Sequence, residues 1–136
     1  MTVYRDTQIQ IADGGSYAGG TTRKNVKITT TDNTATVILS IPVAEGEVYS
    51  VMGQIVGKLG SATGASCTFV SGAARRQASG NVALIGTPTA TVQEDASNAP
   101  GASWNANTSA QTLELKVTGN NSETWTWEGA VFITKL

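Results

Sequence analysis

The sequence predicts an all-β protein, an antiparallel β-sandwich or jelly roll, and three observations support this fold class. Apolar and polar residues alternate through 111–118 and again through 124–134, with a Gly-Asn-Asn-Ser turn between the two runs. This period-two pattern is typical of paired antiparallel strands. Further short apolar runs are separated by turns rich in Gly and Asn, as in sandwiches and jelly rolls. No segment shows the 3.6-residue period of an amphipathic helix.

The N-terminal region differs from the rest and predicts an extended arm of residues 1–24, ahead of a sandwich domain of residues 25–136. Only 8–11 alternates, and 14–20 is rich in glycine, which is typical of a flexible segment. A second interpretation is an arm that orders on a partner, because an extended arm can add a strand to a neighbouring sheet. The anchors of such an arm would be Tyr4, Ile9, Ile11 and Tyr17.

Nine strands are predicted in the sandwich domain. Each covers a run that contains apolar residues, and every connection between two of them contains Gly, Asn, Asp or Pro, which favour turns. In order, the strands cover residues 25–31, 34–41, 47–59, 65–72, 81–85, 88–93, 102–106, 111–118 and 124–134. The clearest turn signals between them are Thr31-Asp32-Asn33, Ala44-Glu45-Gly46, the segment 60–64, Ser79-Gly80-Asn81 and Asn98-Ala99-Pro100-Gly101.

The predicted strand 47–59 is long and carries apolar residues in both parities. One face has Val48, Met52 and Val56, and the other has Tyr49, Val51, Ile55 and Leu59. A strand with one face in solvent would alternate more cleanly. The strand is therefore either central and covered on both faces, or packed against another subunit on one face. Its glycines, Gly53 and Gly57, predict a bulge, a bend or a close backbone approach.

The composition limits the function. Charged residues make up 14% of the chain, below the usual fraction of about 25%, and the formal net charge is −1. We expect no nucleic-acid partner, because such domains usually carry a basic excess. We expect no membrane partner and no secretory signal, because no long apolar run or leader pattern occurs. The single Cys67 is expected to be a small buried residue of a chain made in a reducing cytosol.

Catalytic machinery is not evident in the sequence. The chain contains no histidine, which excludes Ser-His-Asp and Cys-His catalysis and His-containing zinc sites. Its acidic residues are scattered, and the close pairs Glu45/Glu47 and Glu94/Asp95 are more typical of solvated turns than of a glycosidase acid and base. We therefore expect no enzyme, no metal and no cofactor.

Three tryptophans are further candidate functional residues. Trp125 and Trp127 project from the same face of one strand, and Trp104 lies on another. Exposed rings would form a platform that stacks on sugars, whereas buried rings would fill the sandwich core or a subunit interface. We favour the buried interpretation, and the exposure of the rings distinguishes the two.

Four stretches of the chain carry a family resemblance. They are Glu45-Gly46-Glu47-Val48-Tyr49; Ala73-Ala74-Arg75-Arg76 leading to Leu84-Ile85-Gly86; Ser103-Trp104; and Leu115-Lys116-Val117-Thr118-Gly119 with 125–131 after it. From about Thr34 onward the chain resembles a β-sandwich module of tailed-bacteriophage virion proteins. Gly129 departs from the Trp-x-Ala pattern of that family. Such modules occur in capsid decoration proteins, head fibres, and tail-fibre or tail-tip proteins.

The resemblance implies a virion structural protein that is made in the host cytoplasm. The chain starts with its own Met1 and has no large anchoring domain, which is similar to a stand-alone capsid decoration (cement) protein that binds and stabilises the assembled head. Such proteins are usually homotrimers, and the implied partner is the major capsid protein or another virion protein. The candidate residues at or near a trimer interface are Tyr49, Val51, Ile55, Trp125 and Trp127. The alternative is a receptor- or glycan-binding module of a phage head or tail fibre, with a cell-surface glycan as its partner.

Overall fold

The structure is a computed structural model that describes residues 20–60, 64–94 and 100–136, together with the backbone of Ser16 and Tyr17. The strands are β1 (Ser16–Tyr17), β2 (Thr21–Thr30), β3 (Thr36–Pro42), β4 (Val48–Leu59), β5 (Ala65–Arg76), β6 (Val82–Leu84), β7 (Thr89–Glu94), β8 (Gly101–Asn107), β9 (Thr112–Thr118) and β10 (Trp125–Lys135). Within these described residues, no helix is long and apolar enough to cross a membrane.

Two antiparallel sheets make up the fold. The large sheet has the strand order β1-β2-β10-β4-β5-β6, and β7 also pairs with β5. The small sheet has the order β3-β9-β8. Apolar residues of one parity from each sheet face the other sheet, as in packed sandwiches. The predicted all-β sandwich is therefore confirmed.

The nine predicted strands all occur, and the largest boundary differences are at β2 and β5. β2 begins at Thr21 rather than at residue 25, because it pairs with β10 from Thr21 to Thr30. β5 continues to Arg76 rather than ending at residue 72, because its last residues pair with both β4 and β6. The sheet thus starts inside the region predicted as an arm, where β1 pairs with Thr21 and Thr22.

The core contains the three tryptophans. Trp125 and Trp127 have no exposed surface, and their ring centroids lie 5.5 Å apart with 23° between the planes. The Trp127 indole N–H donates to Thr30 Oγ1 at 3.0 Å, and the Trp125 N–H donates to Glu123 Oε2 at 2.8 Å. Trp104 is also buried. The interpretation of the tryptophans as core residues is confirmed, and a glycan platform built from them is ruled out.

Two glycines allow close approaches: Gly57 lets β4 lie against the Trp127 ring, and Gly129 lets β10 lie close to the backbone of β4. A Cβ at Gly57 would lie 2.6 Å from the Trp127 ring. A Cβ at Gly129 would overlap the carbonyl oxygen of Gln54 and lie 2.9 Å from the Ile55 Cα. The close backbone approach predicted for Gly57 is confirmed, and β4 pairs with β10 in register without a bulge.

The central strand β4 has one face in the core and one face in solvent. Burial alternates along the whole strand, with the odd-numbered residues inside. The predicted trimer-interface residues Tyr49, Val51 and Ile55 belong to the buried set, as do Trp125 and Trp127. Their own chain already covers these five side chains, which form part of the core. Their placement at or near a trimer interface stays a prediction.

Candidate functional site

The outer face of the large sheet exposes a cluster of apolar side chains. Met52 is 62% exposed, Val56 49% and Phe69 45%. Single exposed apolar residues are common on protein surfaces, but a contiguous patch marks an interaction site. The strand register shows whether these three side chains are isolated or form a contiguous patch.

The register places these side chains next to one another. Phe132 of β10 lies opposite Met52 of β4, and Phe69 of β5 lies opposite Gln54, two residues along from Met52. Because neighbouring strands are about 4.8 Å apart, the side chains of Phe132, Met52 and Phe69 are adjacent on the face. The apolar cluster is therefore contiguous across three strands.

A groove of about 450 Å³ lies between these side chains. Its apolar walls are Met52, Phe69 and Phe132. Its polar lining residues are Gln54, Ser71, Thr89 and Thr91. This volume is within the range of about 300–1,000 Å³ that is typical of small-ligand sites.

The groove combines aromatic surface with groups that both donate and accept hydrogen bonds. The Ser71 and Thr89 hydroxyls are hydrogen-bonded to each other at 2.6 Å on its rim. One hydroxyl donates its single O–H to the other, so the pair offers a ligand one remaining O–H donor and acceptor lone pairs. The Gln54 amide can both donate and accept. The Phe69 ring offers an apolar face beside them. This arrangement suits a ligand with many hydroxyl groups and an apolar ring face.

Two further depressions continue the groove across the sheet. One of about 440 Å³ shares Gln54 with the groove and reaches Arg23 and Glu128. The next, of about 240 Å³, lies along Glu128 and Lys58. We call the groove and these two depressions the outer-face track. Its length suits an extended ligand better than a compact one.

Cys67 lies on the same outer face, opposite Val56 and Gln93. It is partly exposed rather than buried. The expectation of burial is wrong because residue 67 has the parity of Phe69, which points away from the core.

The outer face of the small sheet differs, because the carboxylate of Glu114 at its centre already has hydrogen-bond partners within the chain. Glu114 is buried, and its Oε1 accepts hydrogen bonds from Asn107 Nδ2 at 2.9 Å and Thr112 Oγ1 at 3.3 Å. Its Oε2 lies 3.6 Å from Lys116 Nζ. The chain itself supplies these partners, so the cluster stabilises the small sheet and leaves the carboxylate little capacity for a ligand.

A second polar cluster anchors the start of β4. Glu47 Oε2 accepts hydrogen bonds from the Ala44 N–H at 2.9 Å and the Tyr49 hydroxyl at 3.0 Å, and Glu47 Oε1 lies 3.2 Å from Lys135 Nζ. The Ala44 N–H is the main cause that lowers the pKa of Glu47. Burial, and then the hydrogen bond to Glu47, raises the pKa of Tyr49 to about 12. These contacts tie β4 to the C-terminal end of β10.

The predicted arm residues are not part of this site. Tyr4, Ile9 and Ile11 lie outside the described residues, and only the backbone of Tyr17 is described, in β1. In the described part of the chain, no group of three or more His, Cys, Asp or Glu residues could hold a metal ion.

The sequence indicates only part of the groove. It places Met52 and Val56 on one face of a long strand, and it does not connect them to Phe69 and Phe132. The available signal is parity, since Phe69 and Phe132 lie at the positions that their strands expose. Only the strand register brings the three strands together.

Comparisons with known proteins find a similar fold in two solved phage tailspike proteins. No protein-family model matches the sequence, and no curated protein sequence matches it. The solved tailspike protein of Acinetobacter baumannii phage AM24 is similar, with a TM-score of 0.50 and 11% identity over 85% of this chain and 28% of that chain. Tailspike gp49 of A. baumannii bacteriophage Fri1, a capsular polysaccharide depolymerase, gives a TM-score of 0.37 and 17% identity over 85% of this chain and 19% of that chain.

These likenesses concern the fold, and the chain spans less than a third of either tailspike. Both neighbours are described as phage tailspike proteins, and neither likeness shows a capsid decoration role for this chain. Capsid binding and a homotrimer stay predictions. The expectation that the chain is not an enzyme is contradicted, because the Fri1 neighbour is described as a depolymerase. We therefore withdraw that exclusion.

Proposed function

We propose that this chain is a β-sandwich module of a phage tailspike or tail fibre, and that it binds a cell-surface glycan in the groove of the large sheet. The observation that carries the proposal is the exposed Phe69 ring beside the Ser71 and Thr89 hydroxyls. The fold likeness to the AM24 tailspike supports the virion location. Because Trp125 and Trp127 are buried on the core face of the large sheet, they cannot stack on a sugar. We assign that role to Phe69 on the opposite face of the same sheet.

The energetics favour a ligand at this groove. Covering an apolar side chain that solvent reaches is worth about 25 cal/mol for each Å² removed from water. A sugar ring that packs on Phe69 gains this term, and its hydroxyls replace water at Gln54, Ser71 and Thr89. Each contact is modest, so repeated modules on a virion would add their affinities through multivalency.

The test is binding of the purified chain to a panel of bacterial capsular and lipopolysaccharide glycans. We expect Phe69→Ala to weaken binding about tenfold or more, since about 1.4 kcal/mol corresponds to a factor of ten. Ile85→Ala is the matched control, because Ile85 is 44% exposed but does not line the groove. Thermal melting establishes that both variants fold.

Two results would overturn the proposal. One is a panel on which no glycan binds, or on which Phe69→Ala binds as tightly as the parent chain. The other is a stable oligomer, measured by light scattering, that Met52→Ser and Phe69→Ser dissociate. That second result would make the outer face a subunit interface and leave the groove inaccessible to a glycan.

A further inference from the structure

We infer that the ligand of the outer-face track is an anionic glycan, one whose sugars carry carboxylate groups at intervals; this inference rests on the proposed function and specifies its ligand. It starts from an uneven distribution of charge. The outward-facing positions of β2, β10, β4 and β5 carry four cations, Arg23, Lys27, Lys58 and Arg75, and one anion, Glu128. The net formal charge of this face is +3, whereas that of the whole chain is −1.

Two of the four cations line the track, and Lys27 lies opposite Glu128, which lines the second and third depressions. Arg23 is opposite Phe132 in the register and lines the second depression. Lys58 lines the third depression. Lys58 is six residues from Met52 along β4, which corresponds to about 20 Å of extended strand. A chain molecule that fills the groove and continues along the track therefore passes both cations.

The physical consequence is an attraction for anions that acts along the whole face. A guanidinium or ammonium group forms charge-assisted hydrogen bonds with a carboxylate, and these are stronger than hydrogen bonds between neutral groups. The charges on this face are exposed or partly exposed, so their effect on affinity and association rate falls as salt increases. The Phe69 groove supplies the apolar part of recognition, and the cations select the charge of the ligand.

A glycan fits this face better than a nucleic acid does. A nucleic acid carries a phosphate at every unit, and Glu128 in the middle of the track would repel it. Nucleic-acid domains are usually basic overall, whereas this chain has a sequence pI of about 5.3. A glycan with neutral sugars between its acidic ones matches a track on which Gln54 and Thr126 alternate with charged residues.

The experiment uses matched pairs of probes. Each pair is a uronic-acid-containing bacterial capsular polysaccharide and the same polymer after its carboxyl groups have been reduced to alcohols. On the full chain at low salt, we expect the acidic member to bind about tenfold more tightly than the reduced member, and the difference to shrink at about 0.5 M salt. The reduced polymer keeps its shape and hydroxyl groups, so the comparison isolates charge.

Variants assign the effect to this face. The double variant Lys27→Gln/Lys58→Gln should weaken binding of the acidic polymer several-fold and leave the reduced polymer unchanged. Lys24→Gln is the control, because Lys24 is an exposed cation on the same strand as Lys27 but has the opposite parity. A loss of affinity for both polymers, or an equal loss with Lys24→Gln, would overturn the inference.

The remaining outcomes separate this inference from the proposed function. Equal binding of acidic and reduced polymers, with loss in Phe69→Ala, would overturn the anionic ligand and leave glycan binding intact. A panel without binding of any kind would overturn both. A single-stranded DNA of matched length that displaces the acidic polymer with equal or higher affinity would also overturn the inference, in favour of a nucleic acid.

Discussion

The outer faces of the two sheets differ in how their side chains are satisfied. Each face turns away from the shared core, yet the large sheet exposes Met52, Val56 and Phe69 there, and the small sheet carries the satisfied cluster around Glu114. The polar face supplies its own hydrogen-bond partners. The apolar face contains a groove, and its outward-facing positions carry more cations than anions. Exposed apolar surface next to a groove is typical of a ligand-binding face.

If the outer face of the large sheet binds the ligand, its inner face should contribute mainly to stability. Truncating Trp127, a large side chain on the inner face, tests this most strongly. We expect Trp127→Ala to lower the free energy of unfolding by about 3–5 kcal/mol, because it leaves a cavity and removes the partner of Thr30. Phe132→Ala, on the outer face of the same strand, should cost less than about 1 kcal/mol. Urea unfolding measures both. Equal losses would mean that the assignment of inner and outer faces is wrong.

Two glycines of β4 test how closely the inner face of the large sheet is packed. Gly57→Ala should lower the unfolding free energy by about 1–3 kcal/mol, because its Cβ would be 2.6 Å from the Trp127 ring. Gly53→Ala should cost less, because its Cβ would be 3.2 Å from a Val70 methyl group that can shift. Both residues lie on the same strand and face. If the order of the two losses in chemical denaturation is reversed, the packing of Trp127 against β4 is not as described.

The small sheet gives the third test. Glu114→Ala should cost about 1–3 kcal/mol of unfolding free energy, because it leaves Asn107 and Lys116 without their shared partner. Asn105→Ala, at an exposed position opposite Glu114, should change stability by less than about 0.5 kcal/mol. Neither variant should alter glycan affinity. Weakened glycan binding in a folded Asn105→Ala chain would reverse the roles of the two faces.

The smallest expected effect is on the pH dependence of stability at the start of β4. The pKa of Glu47 is lowered, so its contribution is present above pH 4.5 and is lost as the pH falls through the lowered pKa. The pKa of Tyr49 is raised from 10 to about 12, so its contribution is present below pH 10 and is lost as the pH rises towards 12. Urea midpoints should decline in both windows. Glu47→Gln should reduce the decline of the urea midpoint at acid pH, and Tyr49→Phe should reduce the decline at alkaline pH. A variant with the same decline as the parent chain would show that the replaced group does not cause it.

The sequence carries most of the fold and little of the site, and the reason is physical. Alternation and turn residues locate strands because both are local, and the β9 and β10 pattern was readable from the chain alone. Alternation does not say which face of β4 is covered, since both faces are apolar. Glu114 reads as a solvent-facing residue, yet Asn107 and Thr112 enclose it. The groove requires the register of β10, β4 and β5, which pairs residues far apart in sequence.

The most direct test of the central claim is to map ligand contacts on the isotope-labelled chain by NMR while an acidic capsular oligosaccharide is added. We predict that the amide signals of Gln54, Phe69 and Thr91 shift until they reach saturation, and that the amide signal of Lys58 also shifts. The amide signals of Ser40, Asn105 and Lys116, on the small sheet, should not shift. Shifts confined to the small sheet, or none at a concentration where the oligosaccharide is known to bind, would contradict the assignment of glycan recognition to the large sheet.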